Sequence, residues 1–216
     1  MFNLSSPDKR NELLQKIHVT GTTTIGVVCK DGVILGADRR VTSGHIIVHK
    51  RTRKIYRLDE HLAATIAGVV ADAQQIMDIV SINARLYRYY TGSPMKVKSA
   101  ATLLSNILVS ARLLPYIVQV LVGGIDITGP KLYAIDPFGS LTEEKYVATG
   151  SGSPTAIGLL EDLFRPEMSI KEALPIVARA IQAAIKRDPA SGGGFDIVII
   201  SHDKYEEIPC EKFSFN

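Results

Sequence analysis

The amino-acid sequence predicts an α+β fold with two β-sheets packed face to face and a pair of helices against each outer surface. Two observations carry this expectation. The periodicity runs strands, two helices, strands, two helices, strand, which is not the strict βα alternation of a doubly wound sheet. Three of the four helical segments also show an apolar stripe that needs a sheet to cover it.

The β pattern begins at Thr22. Thr23–Cys29 is rich in β-branched residues, Asp31-Gly32 is a hairpin signal, and Val33–Ala37 reads as the returning strand. Ile46–Val48, Lys54–Arg57 and Leu62–Ala67 complete what looks like one antiparallel meander. Ala73, Ile76, Met77, Val80, Ala84 and Tyr87 then recur at helical spacing, so a helix is expected over 70–90, ending at Gly92. Ser93 and Pro94 suit the cap and first turn of a second helix. Its stripe is Ala100, Leu103, Leu104, Ile107, Leu108 and Ala111, and Pro115 ends it.

Further on, Tyr116–Gly123, Lys131–Ile135 and Leu141–Ala148 read as strands, with Asp136-Pro137-Phe138-Gly139 as a turn. Ser153-Pro154 opens a third helix, which ends before Pro166. Ser169-Ile170-Lys171-Glu172 is a capping box for a fourth, with Leu174, Val177, Ile181 and Ile185 as its stripe. Phe195–Ser201 is the last strand expected. Met1–Gly21 lacks strong periodicity beyond a short turn at Leu13–Ile17 and reads as an appendage to one domain spanning 22–216.

Composition narrows the function. Lys and Arg (25) exceed Asp and Glu (22) by three, too few and too scattered for a nucleic-acid face. The polar N-terminus is no secretory signal, and no stretch approaches eighteen uninterrupted apolar residues, so no membrane span is expected. Cys29 and Cys210, far apart, suggest two reduced thiols in a cytoplasmic protein. There is no GxSxG elbow, no GxGxxG and no phosphate loop. His45 and His49 lack an HExxH context, and no metal or cofactor is expected.

What remains is a small polar set in an apolar scaffold: Gly21-Thr22-Thr23-Thr24, Asp38-Arg39-Arg40-Val41-Thr42, Lys54, Gly68, Thr149-Gly150-Ser151-Gly152, and the loop from Arg187 to Gly194. Each element alone is ordinary. Together, and chiefly through their spacing from Thr22, they resemble the proteasome β subunits, closest to the archaeal type. The likeness covers essentially all of Thr22 to Ser201, with one residue of extra spacing before the later loops.

The resemblance implies the four-layer αββα sandwich of N-terminal nucleophile hydrolases. It implies a threonine protease with Thr22 as nucleophile, Asp38 and Lys54 as catalytic acid and lysine, Gly68 as oxyanion donor, and Ser151, Asp188 and Ser191 around the α-amine. Residues 1–21 would be a propeptide removed by self-cleavage between Gly21 and Thr22. A threonine hydroxyl needs a base, and an N-terminal α-amine, with a reference pKa of about 7.7–8.0, supplies one only once the preceding bond is cut. Substrate would be unfolded polypeptide added as a strand near Thr42 and Gly68. By family position, Val41, Thr52, Ile66 and Val70 would line an uncharged pocket for the residue before the cut. Partners would be other β subunits in a seven-membered ring, α-subunit rings, and a regulatory ATPase acting through the α ring. The main alternative is a non-catalytic, or partner-dependent, structural β-ring subunit.

Overall fold

A computed structural model of the chain describes residues 21–44, 46–113 and 115–213. The strands are β1 (Thr24–Cys29), β2 (Gly32–Asp38), β3 (Val41–Ser43), β4 (Ile46–His49), β5 (Ile55–Asp59), β6 (Leu62–Gly68), β7 (Val118–Asp126), β8 (Gly129–Ile135), β9 (Leu141–Glu143), β10 (Tyr146–Thr149), β11 (Phe195–Ser201) and β12 (Tyr205–Pro209). The helices are α1 (Val70–Thr91), α2 (Val97–Ser110), α3 (Ser153–Leu163) and α4 (Ile170–Arg187), and a 3-10 turn follows at Cys210–Lys212.

Two five-stranded antiparallel sheets form the centre, in the orders β10-β1-β2-β11-β12 and β5-β6-β7-β8-β9. Side-chain alternation along each strand divides the core into three layers. Ile25, Val27 and Ile34 of the first sheet pack on Ala156, Leu160, Val177 and Ile181 of α3 and α4. Leu62, Ala64, Val120 and Val122 of the second sheet pack on Ile76, Val80, Leu104 and Leu108 of α1 and α2. Between the sheets lie Val33, Leu35, Ala63, Leu121, Leu132 and Val198. The result is the helix–sheet–sheet–helix order expected.

Several local expectations are corrected. The first six strands do not form one meander. β1 and β2 belong to the first sheet, β5 and β6 to the second, and β3 and β4 pair apart from both. The stretch expected as one strand over 141–148 is two, β9 and β10, in different sheets. The chain changes sheet at Glu144, whose N–H still donates to Leu132, while Lys145 C=O already accepts from Val28.

The second helix starts at Val97 rather than at Ser93-Pro94, because Asp126 at the end of β7 accepts from the Val97 N–H and caps the turn from outside. Tyr87 is exposed, outside the buried stripe of α1. β3 and β12 are additional strands. The capping box at Ser169 and Glu172 and the left-handed Gly92 after α1 are both present. Residues 1–20 and His45 lie outside the described residues, as does the very end of the C-terminal tail.

Candidate active site

The site forms where five segments meet at one end of the sheets. Thr22 precedes β1, and Asp38 ends β2. Antiparallel pairing of these two strands brings them together, with the Asp38 N–H donating to Thr23 C=O at 3.1 Å. Lys54 lies just before β5. The Gly150–Gly152 turn follows β10, the edge strand beside β1, and Asp188 to Gly194 connect α4 to β11, the strand beside β2.

Thr22, Asp38 and Lys54 are 3%, 1% and 6% exposed, so their mutual contacts act with little water to screen them. Lys54 Nζ donates to Thr22 Oγ1 at 2.9 Å and to Asp38 Oδ1 at 2.7 Å. Burial holds the Lys54 ammonium below the ordinary lysine range, and the charge and hydrogen bond of Asp38 act in the opposite direction. Asp38 accepts three further hydrogen bonds, from Thr23 N to Oδ1 and from Arg40 N and Gly192 N to Oδ2. Four donors and no acceptor face this carboxylate, which is what an ionised aspartate requires.

A second chain of hydrogen bonds runs behind the Thr22 nitrogen. Ser151 Oγ and Ser191 Oγ each donate to Asp188 Oδ2 at 2.6 Å. Each hydroxyl has one proton, so both must accept on their other side. Ser151 accepts from Thr22 N at 3.3 Å, and Ser191 accepts from Thr23 Oγ1 at 2.7 Å. The Asp188 carboxylate thereby orients the acceptor that faces the main-chain nitrogen of Thr22.

Backbone packing fixes the rest. Gly150 has φ +88, and a Cβ there would lie 2.1 Å from Thr22 O. Gly21 is equally closely held, since a Cβ on it would lie 1.7 Å from Ala190 Cβ, and its N–H donates to Thr42 Oγ1 at 3.0 Å. Thr22 Oγ1 donates to Gly21 O at 2.7 Å, so the hydroxyl rests on the carbonyl group just before it.

Val41, Thr42, Ile66, Gly68 and Val70 line one narrow cavity together with Gly21, Thr22 and Lys54. Thr52 does not join them. It lines a separate cleft of about 250 Å³ with Arg39, Arg51, Asp196 and Glu207. Tyr56, Ala73 and Arg53 line the narrow cavity without having been anticipated. Period-two alternation from Lys54 would have found Tyr56, and helical spacing from Val70 would have found Ala73. Arg53 puts a charged residue in a lining expected to carry none. Its guanidinium pairs with Glu207 and donates to the Ile55 carbonyl.

Arg40 Nη1 donates to Pro189 O, tying the loop that carries Ser191 to the segment that carries Asp38. Burial pushes the Cys29 thiol up to about 12. Both cysteines are free. Among the described residues no cluster of metal-ligating side chains occurs, and no helix is long and apolar enough to cross a membrane.

Comparison with known proteins agrees with this architecture. The family model described as "Proteasome subunit" matches residues 18–200. The chain is 50% identical to the "Proteasome subunit beta 2" of Hyperthermus butylicus, across 88% of this chain and 90% of that one. It is 48% identical to the "Proteasome subunit beta" of Archaeoglobus profundus, covering 93% and 94% of the two chains. It is 46% identical to the "Proteasome subunit beta" of Methanothermobacter thermautotrophicus, covering 88% and 90%. The N-terminal nucleophile hydrolase fold of that family is the four-layer arrangement described above. On the extent of the match, the identities and the shared fold, this chain belongs to the proteasome subunit family, among its β subunits.

Proposed function

We propose that this chain is a catalytic threonine endopeptidase of the core particle, made as a precursor and activated by cutting itself between Gly21 and Thr22. Peptidase activity goes with the β subunits of this family, which assemble with α subunits into core-particle rings. The observation that carries the reading is the buried Lys54 ammonium shared between Thr22 Oγ1 and Asp38 Oδ1. An ammonium at that distance stabilises a developing alkoxide, and Asp38 balances its charge.

In the precursor, the Thr22 hydroxyl attacks the Gly21 carbonyl carbon, and the C–N bond to Thr22 breaks. The acyl group moves from nitrogen to oxygen and leaves Thr22 with a free amine. Water then hydrolyses the ester, releasing residues 1–21 with a terminal carboxylate and restoring the hydroxyl. In the mature subunit the α-amine takes the hydroxyl proton as Thr22 Oγ1 attacks a substrate carbonyl, then delivers it to the leaving amine. The Gly68 N–H serves as oxyanion donor, an interaction whose loss typically costs about 2.7–4 kcal/mol in other hydrolases. Ser151, Asp188 and Ser191 orient the amine. Unfolded polypeptide enters as an added strand, in the cytoplasm, within a seven-membered β ring enclosed by α rings and fed by an ATPase.

The test is the intact mass of the chain after assembly with its α-ring partner. Loss of residues 1–21 in the wild type, and their retention in Thr22→Ala, is the expected result. An unprocessed wild-type chain in the complete particle would instead make this a structural subunit.

A further inference from the structure

Gln119 lies on β7, half-buried and opposite Ala67 in the register, one residue from the pairing of Val118 with Gly68. It belongs to the second sheet, whereas the Gly150 turn follows β10 of the first. Across that gap Gln119 Oε1 accepts the Gly150 N–H at 3.2 Å. Gly150 in turn is packed against the Thr22 carbonyl, with no room for even a methyl group, and Gly152 N donates to the same carbonyl at 3.4 Å. Ser151, between the two glycines, accepts from Thr22 N. The Gln119 side chain therefore links the strand pair that carries Gly68 to the turn that holds both main-chain polar groups of Thr22.

We propose that Gln119 is a positioning residue for the threonine nucleophile: it sets the distance between the Gly68 donor and the Thr22 amine and hydroxyl by fixing the Gly150–Gly152 turn. This rests on the catalytic reading above. The two groups it relates sit on different sheets and must agree to within a fraction of an ångström, since misplacement by about 1 Å can cost a hundredfold in rate. The hydrogen bond ends on a backbone N–H of fixed direction, so it constrains the turn more strictly than apolar packing at the same point would. Its contribution falls in the step that forms the tetrahedral intermediate, not in peptide binding, because Gln119 does not line the cavity that holds Val41, Ile66 and Val70.

Two variants in the complete particle test this. Gln119→Leu keeps the bulk and removes the acceptor. Gln119→Glu keeps an acceptor oxygen and adds a negative charge near the Thr22 amine. With a fluorogenic peptide, the leucine variant should lose roughly tenfold in kcat, about the worth of one hydrogen bond, with KM little changed. The glutamate variant should keep most of its kcat at alkaline pH. The acid limb of its kcat/KM profile should move to higher pH, because the added carboxylate holds the proton on the amine.

A purely structural role would lower the melting temperature of both variants and leave kcat of the folded particle at the wild-type value. A wild-type kcat in Gln119→Leu, or a kcat in Gln119→Glu at alkaline pH no higher than that of Gln119→Leu, overturns the proposal while leaving the catalytic reading intact. If the wild-type particle proves unprocessed and inactive, the catalytic reading fails separately. Hydrogen exchange at the Gly150 amide then decides the link: faster exchange in Gln119→Leu supports it, and an unchanged rate refutes it.

Discussion

Replacing Asp38 with Asn changes one atom and would ordinarily count as conservative, yet the hydrogen-bond pattern makes it severe. Oδ1 accepts from Thr23 N and Lys54 Nζ, and Oδ2 accepts from Arg40 N and Gly192 N. An asparagine turned either way presents an NH2 group to two donors. In one orientation the Lys54 contact survives while the Arg40 and Gly192 amides lose their acceptor. In the other the loss falls on Thr23 and Lys54.

Each buried donor left unpaired costs about 1–3 kcal/mol, and removing one partner of a buried ion pair costs about 3–5 kcal/mol. The site is almost fully enclosed, so solvent offers little relief. Asp38→Asn should therefore lose about 3–5 kcal/mol of stability. The Lys54 ammonium, deprived of its counter-charge, should lose its proton more readily still, and kcat should fall by at least about a hundredfold. Urea unfolding of the full-length chain measures the first quantity. Intact mass and peptide turnover in the assembled particle measure the second. A variant within about 1 kcal/mol of wild type that still loses residues 1–21 would refute the reasoning.

Other predictions follow from the same geometry. Gly150→Ala puts a Cβ 2.1 Å from the Thr22 carbonyl at φ +88, so it should arrest processing and cost at least about 1–3 kcal/mol, read by intact mass and melting temperature. The kcat/KM profile should be bell-shaped. Activity rises as the α-amine loses its proton. It falls again as Lys54 deprotonates, at a pH below the ordinary lysine value of 10.5. For stability the sign is the reverse of that second limb. Lys54 binds its proton less tightly folded than unfolded, so its contribution to stability rises with pH between the two pKa values, as pH-dependent unfolding would show. A peptide panel should show cleavage after medium-to-large apolar residues, since Val41, Tyr56, Ile66, Val70 and Ala73 line the cavity beside Thr22. Preference for Lys or Asp before the cut would remove that assignment.

Much of the fold was legible because its cause is local. The stripe of α1 buries one helix face, the β-branched runs of β1 and β11 bury both faces of their strands, and the Ser169–Glu172 capping box closes a helix start, and each reads from a short stretch of sequence. The misreadings share a cause as well. The start of α2 depends on Asp126, 29 residues further along the chain, which supplies the acceptor that Ser93 was expected to supply. The break between β9 and β10 depends on which sheet each half joins, and alternation within a strand carries no information about its partner. Thr52 was assigned by family position to the cavity beside Thr22, whereas its neighbours Arg51 and Arg53 turn with it toward Asp196 and Glu207.

The sequence by itself determined the residue types available for chemistry and their distances along the chain from Thr22. It also determined the two sheet-covering helix pairs, since both depend on short-range patterns. Only the tertiary structure decided that Asp38 meets four donors, that Asp188 aligns Ser151 and Ser191, and that Gln119 reaches Gly150 from the opposite sheet. Hydrogen bonds are directional and fade within a few tenths of an ångström, so they are settled by the packing of segments far apart in sequence. The burial that shifts Lys54 likewise arises from all the surrounding layers together.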